Sequence, residues 1–294
     1  MTFKDILYLS AYYASKFLLA MFSKKALLFL SKKIAWLVFH LNTKHRKIID
    51  VNLQLCFPQK DESERRQIAL KIYENFARFG LDFLRNQNAT KEQILEKVCI
   101  ENEEILQHAL RLKKNIVFIT AHYGNWELCP LVYAAKFGAI SVVERPLDSK
   151  IMNTILRRNR TQFDIELIDK KQGVRPMLRA LNQNRTLGLL TDQEGGENES
   201  MELEFFGRKV RYLIGGSILA KKTKAVLIPA FIYQNEQGTY TIKIFEAMDS
   251  AEHSKEELTL YQAQCCEQMI RFKPDEYFFF HKRFKAFHLD LYQK

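Results

Sequence analysis

Glycine and proline are scarce, at 11 and 6 of 294 residues. A many-turned all-β protein needs more of both, so that class is excluded. Cysteine is also sparse, with Cys56, Cys99, Cys129, Cys265 and Cys266 at irregular spacing. The absence of a Cys-x-x-Cys pair excludes a zinc ribbon, and adjacent cysteines make a strained disulfide. The five therefore read as reduced thiols of a cytosolic compartment. Long apolar runs are missing too. The longest uncharged stretches of the N-terminal region, 6–15 and 34–43, hold ten residues each, against roughly 20 for a spanning helix. This excludes a polytopic membrane protein, and no clean signal-peptide core with a cleavage site is present. His-Glu-x-x-His, a phosphate-cradling glycine loop and nucleic-acid-binding motifs are all lacking, so no metal, nucleotide cofactor or nucleic-acid partner is indicated.

What the chain does have is apolar bulk and positive charge. Apolar residues make up 47% and charged residues 27%, with 22 Phe and 12 Tyr, a globular composition with an aromatic excess that hints at an apolar groove. Net charge is +11. Residues 1–47 hold nine basic groups (Lys4, Lys16, Lys24, Lys25, Lys32, Lys33, Lys44, Arg46 and Lys47) against one acid, Asp5. Lysines there interrupt apolar and aromatic residues at helical spacing. This predicts helices that lie on an anionic membrane surface, each nearby lysine adding about 1 kcal/mol. The same pattern also fits a helical hairpin packed on the body. Two units are expected: membrane-associating helices over 1–47 and one α/β domain over 48–294.

Within that domain a helix is expected over 61–85 and another over 91–113. Strand signals then alternate with helix signals. Strands are expected at 115–120, 139–143, 165–168, 186–191, 225–232, 239–245 and 276–281. Helices are expected near 125–137, 149–162, 174–183, 212–223 and 255–272. The alternation predicts an α/β fold with a largely parallel central sheet flanked by helices, whose sites lie beyond the strands' carboxyl ends.

Four segments at such positions could carry chemistry. In Thr120-Ala121-His122-Tyr123-Gly124-Asn125-Trp126-Glu127, the imidazole of His122 can accept a proton near neutral pH. Glu127, folded back across Gly124, can fix its tautomer. No serine or cysteine nucleophile accompanies them, which suits direct transfer with His122 as general base. His-x4-Glu alone also fits a histidine that caps a helix. Arg145, after the strand ending in Glu144, can fork onto a phosphate or carboxylate, as can Arg157, Arg158 and Arg160 on the next helix. Surface salt bridges are the other use of those arginines. Asp192 and Gln193 end an apolar strand and open the Gly- and acid-rich loop 192–200; an Asx turn is the alternative there. Last, Tyr277-Phe278-Phe279-Phe280-His281-Lys282-Arg283 places His281 and cations after aromatics, where a structural histidine is the simpler reading.

Taken jointly, His-x4-Glu after a strand, Arg145-Pro146, Asp192-Gln193, Phe205-Phe206-Gly207-Arg208 and the terminal Phe-His-Lys-Arg-Phe-Lys resemble the bacterial lipid A biosynthesis acyltransferases. Asn52-Leu53-Gln54-Leu55-Cys56-Phe57-Pro58 and the helix after it add to the likeness, which covers about residues 40–285. These late lauroyl and myristoyl transferases are more distantly similar to the glycerolphosphate acyltransferases. The resemblance implies a glycerolphosphate-acyltransferase-like sheet and a place on the cytoplasmic face of the inner membrane. It implies transfer of a fatty acyl group from acyl carrier protein or acyl-CoA to a hydroxyl of a lipid A precursor, with no cofactor. His122 would be the base and Glu127 its partner. Arg145, Asp192, Gln193, Arg158 and Arg160 would bind substrate. An acyltransferase for another glycolipid or phospholipid, or a non-catalytic peripheral membrane protein, is the competing reading.

Overall fold

The computed structural model describes residues 3–293. Four helices lead: α1 (Phe3–Met21), α2 (Lys24–Leu41), α3 (Thr43–Cys56) and α4 (Glu62–Arg85). Their starts are written in the sequence. Ser23 caps α2, and Asp61 with Glu64 forms a reciprocal capping box at α4. The α/β body follows, in order α5 (Lys91–Leu95), β1 (Val98–Glu101), α6 (Glu103–Arg111), β2 (Ile116–Thr120), α7 (Leu128–Lys136), β3 (Ile140–Glu144), α8 (Lys150–Arg160), β4 (Ile165–Asp169), α9 (Val174–Asn182) and β5 (Thr186–Leu190). It continues with β6 (Ser200–Phe205), β7 (Arg208–Leu213), α10 (Gly215–Thr223), β8 (Val226–Gln234), β9 (Tyr240–Ile244), β10 (Met248–Asp249) and α11 (Lys255–Phe272).

The main sheet runs β1-β9-β8-β2-β5-β3-β4, with β10 paired to β8. β8, β2, β5, β3 and β4 are mutually parallel, β9 and β10 pair antiparallel to β8, and β1 runs parallel to β9 at the edge. The α/β expectation with a largely parallel sheet flanked by helices therefore holds. β2 lies in the middle, and Ile116, Val117, Phe118, Ile119 and Thr120 are all buried, as its β-branched and aromatic residues require between two helical layers. Separate apolar clusters cover the two faces. A third cluster joins Ala35 and Phe39 of α2 to α3, α4 and the C-terminal aromatics.

Two expectations fail, and one element is new. The helix read over 91–113 is α5, β1 and α6, because Val98-Cys99-Ile100 pair with Tyr240-Thr241-Ile242. Residues 276–281 are not a strand. A 3-10 turn at Pro274–Glu276 leads into an extended segment held to the His122 loop by the Tyr123–Tyr277 bridge and by the Phe278 amide, which donates to the His122 carbonyl at 2.9 Å. Phe205-Phe206-Gly207-Arg208 is the tip of an unforeseen β6–β7 hairpin. Phe206 and Gly207 both take positive φ (54° and 67°), as a two-residue hairpin turn demands. All five cysteines are free. None of the described helices is long and apolar enough to cross a membrane. On α1 and α2, however, Phe17, Met21, Phe29, Trp36 and Leu41 stand exposed, Leu41 by 72%.

Candidate active site

β2 and β5 are parallel neighbours in the register Thr120 opposite Leu190. The Thr191 amide continues it by donating to the Thr120 carbonyl at 3.2 Å. Two residues on, His122 faces Asp192 across the carboxyl ends of the strands. His122 Nδ1 lies 2.9 Å from Asp192 Oδ1, and the His122 amide donates to the same oxygen at 3.1 Å. Asp192 is fully buried, while the His122 side chain keeps 23% of its exposure. Nδ1 is thus engaged inward, which leaves Nε2 for a substrate.

Burial pulls the pKa of His122 down, but the charge and hydrogen bond of Asp192, helped by the charge of Glu127, outweigh it, and the net shift is upward. Burial would raise the Asp192 carboxyl. The His122 ring and the nearby His281 overcome that and hold it at about 2. The pair is therefore an ionised carboxylate orienting an imidazole of strengthened basicity.

The loop between His122 and α7 is held tightly. Gly124 takes φ +57°, its amide donates to the Glu276 carbonyl at 2.9 Å, and a Cβ there would lie 1.9 Å from the Ile232 carbonyl oxygen. Only glycine fits. Trp126 packs edge-on against the His122 ring at 5.3 Å, and Phe278 packs tilted at 6.0 Å.

Glu127 does not take the place expected of it. Its carboxylate grips Arg160 through both oxygens, with Nε to Oε2 at 2.7 Å. Arg160 also donates through Nη1 to Glu144 at 2.7 Å, and Arg157 joins Glu144 from the other side. Glu127 opens α7 and is buried against α8, so its reach is towards that helix. Its charge still acts on His122, without a hydrogen bond. Burial opposes the charge of Arg160, yet the two carboxylates hold its pKa above the ordinary arginine value.

The structure thus brings His122, Asp192, Glu127 and Arg160 together. Arg145, just past β3, and Arg158, on α8, are exposed and pair with no carboxylate among the described residues. Gln193 is half-buried beside Asp192. The ring nitrogens of His281 are shielded from solvent although the residue is only half-buried, and burial drops its pKa to about 4. The buried Arg283 lies over the Phe205 and Tyr212 rings. Asn52 of α3 fixes this segment, donating to the Phe279 and His281 carbonyls at 2.9 and 2.8 Å. Trp126, Phe278 and Glu144 lie in segments the sequence marks out, but nothing in the sequence gives them a role. Glu144, an acid ending an apolar strand, was the one with a visible signal. Among the described residues no cluster of His, Cys, Asp and Glu could hold a metal.

The chain has relatives of known name. It is 24% identical over 251 residues to a lipid A biosynthesis acyltransferase of Haemophilus influenzae, covering 82% of this chain and 78% of that one. It is 23% identical over 250 residues to the lipid A biosynthesis lauroyltransferase of Escherichia coli, covering 83% and 80%. Among solved structures, the 1-acyl-sn-glycerophosphate (LPA) acyltransferase of Thermotoga maritima aligns with a TM-score of 0.41 at 16% identity, over 84% of this chain and 95% of that one. The family profile itself matches residues 3–286, from the first helix past the strand-end histidine to the closing aromatic and basic segment. The chain is an acyltransferase and belongs to the bacterial lipid A biosynthesis acyltransferase family.

Proposed function

We propose that the chain moves a fatty acyl group from a thioester, on acyl carrier protein or coenzyme A, to a hydroxyl of a lipid A precursor. Nε2 of His122 takes the hydroxyl proton as the oxygen attacks the thioester carbonyl. Asp192 on Nδ1 fixes the tautomer and balances the imidazolium. Collapse of the tetrahedral intermediate forms the ester and breaks the C–S bond, and the imidazolium returns its proton to the leaving sulfur. Glu127 holds Arg160 in place beside this centre, and exposed Arg145 and Arg158 are free to meet phosphate groups. The observation that carries the reading is the His122–Asp192 pair, which points a nitrogen of strengthened basicity out of an otherwise closed strand seam.

The reading also places α1 and α2 on the anionic cytoplasmic face of the inner membrane, apolar side inward and lysines at the headgroups. The test is to incubate protein-containing membranes with a tetra-acylated lipid A precursor and lauroyl- or myristoyl-carrier protein, and to weigh the lipid. A gain of one acyl mass, lost in a folded His122→Ala variant, is the expected outcome. A gain that survives in His122→Ala would reject His122 as the base. No gain with either donor would reject the lipid A acceptor.

A further inference from the structure

Arg283 is fully buried, and the acyl-transfer mechanism leaves it without a task. Its guanidinium lies over the Phe205 and Tyr212 rings at 5.0 and 5.3 Å, and Nη1 donates to the Arg211 carbonyl of β7 at 3.2 Å. Nε and Nη2 are shut off from solvent and have no hydrogen-bond partner among the described residues. A guanidinium carries a fixed charge. Burying one without a bonded anion is costly unless charge elsewhere in the interior balances it.

Two carboxylates share its surroundings without pairing with it. Glu194 feels the Arg283 charge, and its Oε1 accepts the Ala286 amide at 2.8 Å. Asp192 is the other. Its Oδ1 holds His122, while its Oδ2 is buried and unpartnered among the described residues, as are the Tyr277 hydroxyl and both His281 ring nitrogens. These groups form one cluster. The Tyr277 and His281 rings lie 5.9 Å apart. The charges of Asp192 and Arg283 both act on Tyr212, Tyr277 and His281, with opposite signs. The intervening groups are neutral at working pH. Burial lifts the Tyr212 and Tyr277 phenols well above their ordinary value and drops His281 to about 4. It also raises Cys56 of α3, Cys266 of α11 and Tyr292. Arg211 and Lys285 act on Glu194 from nearer the surface.

Resting on the acyl-transfer reading above, we propose that Arg283 is a positioning residue for the reaction, an unbonded counter-charge to Asp192 that keeps His122 available as the base. His122 gains a full charge when it takes the hydroxyl proton, and Asp192 and Glu127 both favour that charge. Unopposed, two carboxylates would leave the imidazole already protonated and unable to accept. Glu127 is balanced by Arg160, bonded to it at 2.7 Å. Asp192 has no bonded cation other than the histidine it serves. A direct salt bridge from Arg283 would compete for the oxygens that orient the ring. A cation held apart by neutral phenols supplies its field without that competing bond.

The test is to titrate His122 in the full chain by NMR of 13C-labelled histidine, the signal being assigned by its loss in His122→Ala. Arg283→Met keeps the apolar bulk of the side chain and removes its charge. It is expected to move the His122 midpoint to higher pH and to slow acyl transfer at pH 6 about tenfold, with the rate at pH 8 near that of the wild type. The sign separates this from a structural role. A site merely loosened would admit water and move the raised midpoint down, toward the ordinary histidine value. Arg283→Lys keeps the charge and is expected to keep the wild-type midpoint. Arg283→Gln, which retains a donor for the Arg211 carbonyl, carries the test if Arg283→Met does not fold. A midpoint that stays in place or falls in a folded neutral variant would overturn the proposal, as would Arg283→Lys shifting as far as Arg283→Met. A wild-type chain whose His122 titrates but which transfers no acyl group rejects the underlying function instead.

Discussion

At the residue scale, two carboxylates stand near one imidazole and do different work. Asp192 is bonded to it, whereas Glu127 is committed to Arg160. Asp192→Asn should therefore lower kcat by roughly 10²–10⁴ while the fold survives. It should also move the acid limb of the pH–rate profile. The base must be neutral, so activity rises as pH climbs through the folded pKa of His122. Asp192 raises that pKa, so its removal shifts the limb to lower pH. Glu127→Gln should shift the limb less and cost more stability, about 3 kcal/mol by thermal or denaturant unfolding, because it strips a carboxylate from a mostly buried guanidinium. Equal limb shifts in the two variants would contradict this division. His122 and Asp192 were each visible in the sequence as polar residues ending apolar strands. Their partnership was not, because it depends on which strands are neighbours, and 70 residues separate them in the chain. The nearer acid, Glu127, looked the better partner only because sequence distance stood in for spatial distance.

At the element scale, legibility followed burial pattern and chain locality. The central parallel strands were readable because unbroken apolar runs such as Ile116–Ile119 have no other use between two helical layers. The capping box of α4 was readable as Asp61 followed by Glu64. β1 was not, since its four residues alternate half-buried with exposed and gain their identity only from β9. The segment after Glu276 looked like a strand for its aromatics, yet its Phe278 packs on His122 and Trp126 while the backbone makes few ladder bonds. The loop from His122 to α7 shows how an element boundary positions chemistry. Gly124→Ala should cost roughly 2–4 kcal/mol and cripple transfer, because the added methyl collides with the backbone of β8 and pushes the loop off the histidine. A Gly124→Ala variant with wild-type melting temperature and rate would show that the close approach to Ile232 does not matter.

At the scale of the whole molecule, the excess positive charge and the exposed apolar residues concentrate in the same two leading helices. α1 touches the body lightly: the Tyr12 hydroxyl donates to Gln87 at 2.7 Å, and Ser149 donates to Asp5 at 3.3 Å. α2 is more firmly seated, with Phe39 against Tyr73 of α4 at 5.6 Å and Tyr73 in turn against Phe280 at 5.0 Å. α4, a cylinder about 10–12 Å across, therefore stands between the apolar side of α2 and the Trp126 and Phe278 rings that pack on His122. With so thin a partition, an enzyme resting on lipid would find its next acceptor by diffusion in two dimensions. Turnover should then follow the mole fraction of acceptor in the surface. Diluting the acceptor with inert phospholipid at constant bulk concentration should slow the reaction, whereas diluting the whole vesicle suspension should barely matter once the protein is bound. A rate that tracks bulk concentration would mean that the acceptor leaves the bilayer before it reacts.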